Sequence, residues 1–315
     1  MSGLMAVYRK ELCDHFNSKR FIILCLLVYL AGIAAIYVAA QNIRSGVSET
    51  TQFIFLRLFI VSGEDLPFSF PLFLSLFIPI IGIALGFDAI NSERTSGNLG
   101  RLLSQPLHRD SVINGKFLAG LITLAVLVVS IIAIVAGLGL RMTGVPPNAE
   151  EMLRLFAFIF VSVVYGAFWM SLSVLFSVFF KRTATSALAS IALWLFLLLL
   201  MPMIATVAAG AIVPLGQDPS VESVIQFEQV YRMISRVSPN ILYAETFSAL
   251  LTPELGTLSV TMFQVGLSTG MMPSPLPLSQ SLLIVWPQIV TLIALTAICF
   301  AMSYIKFMRE EIRST

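Results

Sequence analysis

Three stretches of the chain carry residue types that do chemistry elsewhere. Gly266-Leu267-Ser268-Thr269-Gly270 fits G-x-S-x-G, in which a serine on a strand-to-helix turn attacks a carbonyl with a histidine as base. The only histidines are His15 and His108, and the topology expected from the apolar runs places both across the membrane from Ser268, so the match is read as chance. Gly115-Lys116-Phe117 resembles the end of a phosphate-binding loop, but that loop needs G-x4-G-K followed by Ser or Thr, and both the spacing and the hydroxyl fail. Met271-Met272-Pro273 offers two thioethers without a His or Cys nearby, whereas a soft-metal site needs several convergent ligands. With no H-E-x-x-H either, no catalytic residue, metal ligand or bound cofactor is expected on this chain.

The most organised polar segment is 88–116. Gly97 and Asn98 break the helix that would continue from the preceding apolar run, and Asn98 can cap the next helix. Leu99, Leu102 and Leu103 then share one face of a helix of about two turns, which Pro106 stops. Asp110 is placed to cap the helix running through Lys116. A short helix with an exposed leucine face must meet either the bilayer surface or a partner, and docking on a soluble partner is the preferred reading. Glu93 and Arg109 flank it and can pair with that partner, pair with each other, or stay solvated.

The elements that position this segment are set by composition. The 315 residues are 57% hydrophobic and only 11% charged, with a mean hydropathy of +0.92, which excludes an ordinary soluble domain. A formal charge of +2 gives nucleic acid no electrostatic footing. Charge-free apolar runs long enough to cross about 30 Å of hydrocarbon as helices occur at 21–40, 66–87, 117–140, 155–180, 187–213 and 282–305. They are continuously apolar, unlike the alternating strands of a barrel. The first is longer than a signal-peptide core, so it is expected to stay as a span despite Val38-Ala39-Ala40 before Gln41. The expected fold is an all-α integral membrane protein forming one transmembrane domain over 1–315.

If all six runs span, 1–20, 88–116, 181–186 and 306–315 share one side, with thirteen Lys/Arg in 65 residues. The short segments of the other side hold four in 39, so both termini are expected in the cytoplasm. Cys13, Cys25 and Cys299 then avoid the outer loops, and no disulfide framework is expected.

In 1–20, Leu4, Met5, Tyr8, Leu12 and Phe16 recur at helical spacing, with Arg9, Lys10, Glu11, Asp14 and Lys19 on the other side, a pattern that suits a helix in the inner membrane interface. Between the fifth and sixth runs, 214–281 is too long for an idle loop. Asp218-Pro219 is a helix start, Val221, Val224, Ile225, Tyr231 and Ile234 line one face, and Ser238-Pro239-Asn240 breaks it. A second helix at about 241–251 ends at Pro253. The pair is expected to form an outer cap, as a lid or as a platform for an external protein. The spans lack interior charge, which argues against a carboxylate relay and for an apolar or amphipathic cargo. Tyr165, Trp169 and Ser173, with Ser171, Ser177 and Ser190, are the polar groups available to line a path, or to bond to their own backbones. Pro79, Pro202 and Pro287 are expected to kink their helices.

Glu93, Gly97, Leu99, Leu102, Leu103, Ser104, Pro106, Arg109, Gly115 and Lys116 stand as E-x3-G-x-L-x2-L-L-S-x-P-x2-R-x5-G-K, which resembles the loop after the second span in type-2 ABC transporter permeases. The leader Arg9-Lys10-Glu11-Leu12, after Tyr8, is similar to that family's amphipathic N-terminal helix. The resemblance implies a multi-pass inner-membrane permease subunit surrounded by lipid, one of a dimer seated on two copies of a soluble ABC ATPase subunit, which would hold the ATP and Mg, and a homodimer is the default expectation for the pair. It also implies that Glu93, Gly97, Leu99, Leu102, Leu103, Pro106 and Arg109 form the coupling helix and its flanks, which contact the ATPase. An ATPase-driven component that works on or docks an external protein, a non-transporting scaffold, and a membrane-embedded enzyme are the alternatives.

Overall fold

The computed structural model describes residues 3–46, 53–60, 69–95, 108–214, 220–252 and 276–309. The regular structure there is helical throughout: α1 Gly3–Asn17, α2 Lys19–Gly46, α3 Ile54–Ile60, α4 Phe70–Gly86, α5 Asn91–Thr95, α6 Arg109–Thr143, α7 Ala149–Phe179, α8 Thr183–Leu195, α9 Met201–Ile212, α10 Val221–Ser235, α11 Pro239–Leu251 and α12 Leu278–Arg309. A π-helical turn, Phe196–Leu200, joins α8 to α9 into one continuous run. Six segments are long and apolar enough to cross a membrane, and each contains most or all of one predicted run.

Local chemistry sets the helix ends. Asn148 opens α7 with a reciprocal capping box: its Oδ1 accepts from the Glu151 N–H and its own N–H donates to Glu151 Oε2, both at 2.8 Å. Gly144 closes α6 at φ 72°, a left-handed conformation that a side chain would strain. Two expected boundaries move. Asp110 is the second residue of α6 rather than its cap, and its carboxylate accepts from the Ser111 N–H at 2.8 Å within a first turn that favours negative charge. The helix expected to run from the second span to Gly97 instead turns at 87–90, where the Ala89 N–H bonds back to the Gly86 carbonyl.

Of the three prolines expected to kink their helices, Pro79 and Pro287 lie inside α4 and α12, and Pro202 follows the π turn. Proline has no N–H to give, and the π turn immediately before it absorbs the mismatch. The Leu197 carbonyl, five residues before Pro202, accepts instead from Ser238 Oγ at 2.9 Å.

The centre of the bundle is built on α4, α6 and α7. In lipid no hydrophobic force draws helices together, so close packing must do it, and small residues allow the closest approach. A Cβ added at Gly82 would lie 2.7 Å from the Gly166 carbonyl oxygen, and one at Gly86 2.7 Å from that of Met170. Glycine is therefore required where α4 crosses α7.

The segment expected to form an outer cap goes deeper than a cap. α10 packs against α9, and the chain turns at Ser238 beside Leu197, midway along the fifth span. Asn240 comes next, at Tyr165, midway along α7, with the Tyr165 hydroxyl on its Oδ1 and 3.1 Å from the Ser75 carbonyl oxygen. α11 then returns, its Tyr243 ring stacked on Tyr165 at 4.3 Å and its hydroxyl 2.8 Å from Ser162 Oγ. The pair is a helical hairpin inserted to mid-depth. Other helices satisfy the Ser238 hydroxyl and Asn240 Oδ1 at the turn, while Asn240 Nδ2 has no hydrogen-bond partner among the described residues. Ser220, rather than the expected Asp218-Pro219 start, caps α10 among the described residues.

Candidate functional site: a charged junction at the end that carries both termini

α1 and the start of α6 meet where sequence alone gives no long-range information. A Cβ at Gly115 would lie 2.9 Å from Val7 Cγ1 and 3.3 Å from the Tyr8 nitrogen, so Gly115 is what admits the helix. The next residue supplies the charge. Lys116 Nζ lies 2.8 Å from Glu11 Oε1 of α1 and 2.7 Å from Glu93 Oε1 of α5, with all three side chains close to fully buried (8%, 11% and 11% exposed). Lys10, more exposed, adds a contact to Glu11 at 3.2 Å and one to Asp14 at 3.5 Å.

α5 is itself held from below. Ser177, near the end of α7, accepts from the Ile90 and Asn91 N–H groups at 3.0 and 3.2 Å. Under it Ile90, Val112, Ile113, Val178 and Phe307 form a small apolar cluster that brings in α6, α7 and α12. α1 and the end of α12 thus gather at this end. Burial by itself would raise the Glu11 carboxyl, but the Lys116 ammonium and then Lys10 override it and hold it below the usual carboxylate range. Burial lowers the His15 imidazole, with Glu11 partly opposing. Beside the junction a cleft of about 880 Å³ opens between α1, α2, the end of α4 and α6.

The motif that runs from Glu93 to Lys116 therefore closes on itself: its first acid and last base form an ion pair, with Glu11 of the leader as third member. Glu93, expected to pair with a partner charge, to pair with Arg109 or to stay solvated, is buried and pairs with Lys116. Arg109 opens α6, half-buried. The short helix with Gly97, Leu99, Leu102, Leu103 and Pro106 lies outside the described residues, as do Ser268 and the Met271-Met272 pair. On α1, Tyr8 and Leu12 are half-buried while Arg9 and Lys10 are exposed. Glu11, placed on the polar side by periodicity, is buried beside Val7 because Lys116 neutralises it. The available signal was Gly115 directly before Lys116, a gap and a charge side by side.

The residues expected to line a path are enclosed. Tyr165, Trp169 and Ser173 are fully buried within the chain, and Ser173 Oγ bonds to the Ile83 carbonyl at 3.1 Å and to Ser190 Oγ at 3.3 Å.

The opposite end holds a second polar cluster, which the sequence reading does not single out. Glu151 Oε1 accepts from the Phe55 and Leu56 N–H groups at the start of α3, at 3.1 and 3.4 Å. Arg154 is fully buried and donates to Glu150 at 2.9 Å, to the Leu250 carbonyl at 3.0 Å, to Ser281 Oγ at 3.2 Å and to the Leu276 carbonyl. It fastens the end of α11 and the start of α12 to α7. The Glu-Glu-x-x-Arg spacing at the head of an apolar run was the legible hint.

Comparison with known proteins agrees with this architecture. The family described as ABC-2 family transporter protein matches residues 5–312. A probable ABC transporter permease protein, NosY, of Pseudomonas aeruginosa is 25% identical over 209 residues, covering 64% of this chain and 70% of that protein. The chain belongs to the ABC-2 transporter family as an integral membrane permease subunit of an ABC transporter, and that membership implies a partner ATPase subunit.

Proposed function

We propose that the chain exports an apolar or amphipathic cargo by alternating access, as one of two identical permease subunits seated on two soluble ATPase subunits that hold ATP and Mg. The end carrying both termini and the 88–116 segment faces the cytoplasm of a cell with this protein in its inner membrane, and α1 lies in the inner membrane interface. Leu99, Leu102 and Leu103 seat in the ATPase. The observation that carries this reading is the buried Lys116–Glu11–Glu93 junction. It ties the beginning and the end of the 88–116 segment to each other and to α1, so a push on the segment moves α1, α5 and α6 together. α4 passes the displacement to α7 through the Gly82 and Gly86 contacts, and Arg154 passes it on to α11 and α12. Tilting packed helices between two arrangements is the general way such a push opens a path.

The test is copurification in gentle detergent. Leu102→Asp with Leu103→Asp together is expected to release the ATPase while the chain still inserts, since neither residue lies in a span. An ATPase that copurifies with the double variant at normal stoichiometry would remove the docking claim.

One observation favours a second reading, in which the ATPase drives mechanical work on an external protein. Tyr165, Trp169 and Ser173 are enclosed, and Arg154 couples the inserted hairpin rigidly to α7. Uptake of amphiphiles into inverted proteoliposomes with the ATPase supports export, and its absence alongside a captured external protein supports the second reading.

A further inference from the structure

The cleft beside the junction is not explained by the coupling role. At about 880 Å³ it is the size of a site for a drug-sized molecule. Its floor is apolar and aromatic, formed by Phe21, Leu24, Leu85, Phe87, Phe117 and Met170. Its rim is charged and out of balance. Among the described residues that line it, Glu11, Asp14, Asp88 and Glu93 face Lys10, Arg20 and Lys116, four carboxylates against three cations, and burial lowers the His15 imidazole.

The three cations are unequally committed. Lys116 is buried between two carboxylates, and Lys10 is shared between Glu11 and Asp14. Arg20 is 75% exposed, reaches Asp88 Oδ2 only at 3.3 Å, and has its guanidinium carbon 5.9 Å from the centre of the Phe87 ring. An exposed pair of this kind is weak and easily exchanged. A cation over an aromatic face beside a carboxylate is also how proteins hold ligand ammonium groups. Arg20 marks such a place with a removable occupant.

We propose that the cleft binds a cationic amphiphile, an apolar body of drug-like size bearing an ammonium group, which seats that ammonium on Asp88 in place of the Arg20 guanidinium and lays its body on Phe21, Phe87 and Phe117. This names the cargo class within the export reading and rests on it. One ammonium restores the charge balance of the rim, while an anionic amphiphile would deepen the imbalance.

The test uses the full chain in phosphatidylglycerol nanodiscs, titrated with dansylcadaverine, a fluorescent primary amine, against its neutral analogue N-pentyl dansylamide, with empty discs subtracted. Asp88→Asn is expected to weaken dansylcadaverine about tenfold, Arg20→Gln to strengthen it several-fold, and neither to change the weaker binding of the neutral analogue. The opposite signs separate a site from general attraction to the membrane, and the exposed Arg20 side chain makes Arg20→Gln safe for folding. Unchanged affinity in Asp88→Asn, weakening in Arg20→Gln, or equal binding of the neutral analogue would overturn the proposal. A second arm assigns the source. If discs containing phosphatidylethanolamine lower the affinity in the unmodified chain but not in Asp88→Asn, the resident ammonium is a lipid headgroup, and if they leave it unchanged it is a free amphiphile. Binding is read without the ATPase, so failure here leaves the copurification result intact, and failure of copurification leaves this result intact.

Discussion

Lys116 is the residue on which most of this end depends, because one ammonium answers two buried carboxylates. Removing one member of such a group leaves charge buried without a partner, which costs about 3–5 kcal/mol, whereas removing all charge at once is nearly neutral. Lys116→Met is therefore expected to lower the unfolding temperature in detergent sharply, and the triple change with Glu11→Gln and Glu93→Gln to recover most of the loss. A triple variant no more stable than the single one would argue against an electrostatic role. Glu11 adds a pH signature. Its carboxyl is depressed in the folded chain, so its stabilisation is complete above the unfolded value of about 4.3 and is lost as pH falls through the lower folded value. A fluorophore on the exposed Cys13 of α1 should report release of the helix only at pH below the ordinary glutamate range, and Glu11→Gln should remove that transition.

Among the elements, the α4–α7 crossing transmits movement most stiffly, since its backbones touch with no side chain between them. Gly82→Val must push its Cβ away from the Gly166 carbonyl oxygen at 2.7 Å, and overpacking of this kind costs about 1–3 kcal/mol or more. Gly137 offers an internal control, with nothing within 4 Å of an added Cβ. Gly137→Ala, in the last two turns of α6, is expected to be neutral or to stabilise by about 0.5–1 kcal/mol through helix propensity. Thermal unfolding of the two variants side by side checks this, and equal losses would mean that the crossing is looser than the distances indicate. The helices themselves are legible in the sequence. Apolar runs of span length and Asn148 three residues before Glu151 act locally, and each does in the structure what local chemistry says it should. Asp110 misleads because a cap needs a particular backbone geometry, which His108 has; Asp218-Pro219 lie outside the described residues, and Ser220 caps the helix that follows.

At the scale of the molecule, two polar clusters sit at opposite ends of one apolar bundle, and α7 touches both: Ser177 holds α5 at one end, and Glu151 and Arg154 hold α3, α11 and α12 at the other. Orientation is a consequence of the proposed function. A cysteine introduced by Ser104→Cys is expected to react with an impermeant maleimide only from the cytoplasm, and one introduced by Ser220→Cys only from outside, while the reverse pattern would invert the mechanism. The all-helical class, the six spans and the family were determined by the sequence alone. A span needs about twenty consecutive apolar residues whatever surrounds it, and the family motif is contiguous. Only the tertiary structure decided that Glu11 leaves the polar face of its helix, that Glu93 answers Lys116, that the 220–252 hairpin descends to Leu197 and Tyr165, and that Arg154 fastens α11 and the start of α12 to α7. Each of these is a meeting of charges or hydrogen-bonding groups up to about a hundred residues apart, as Glu11 and Lys116 are, or further, as Arg154 and Ser281 are. In a medium that offers such groups no water, their partners are fixed by which helices pack together, and periodicity along one helix carries no record of that choice.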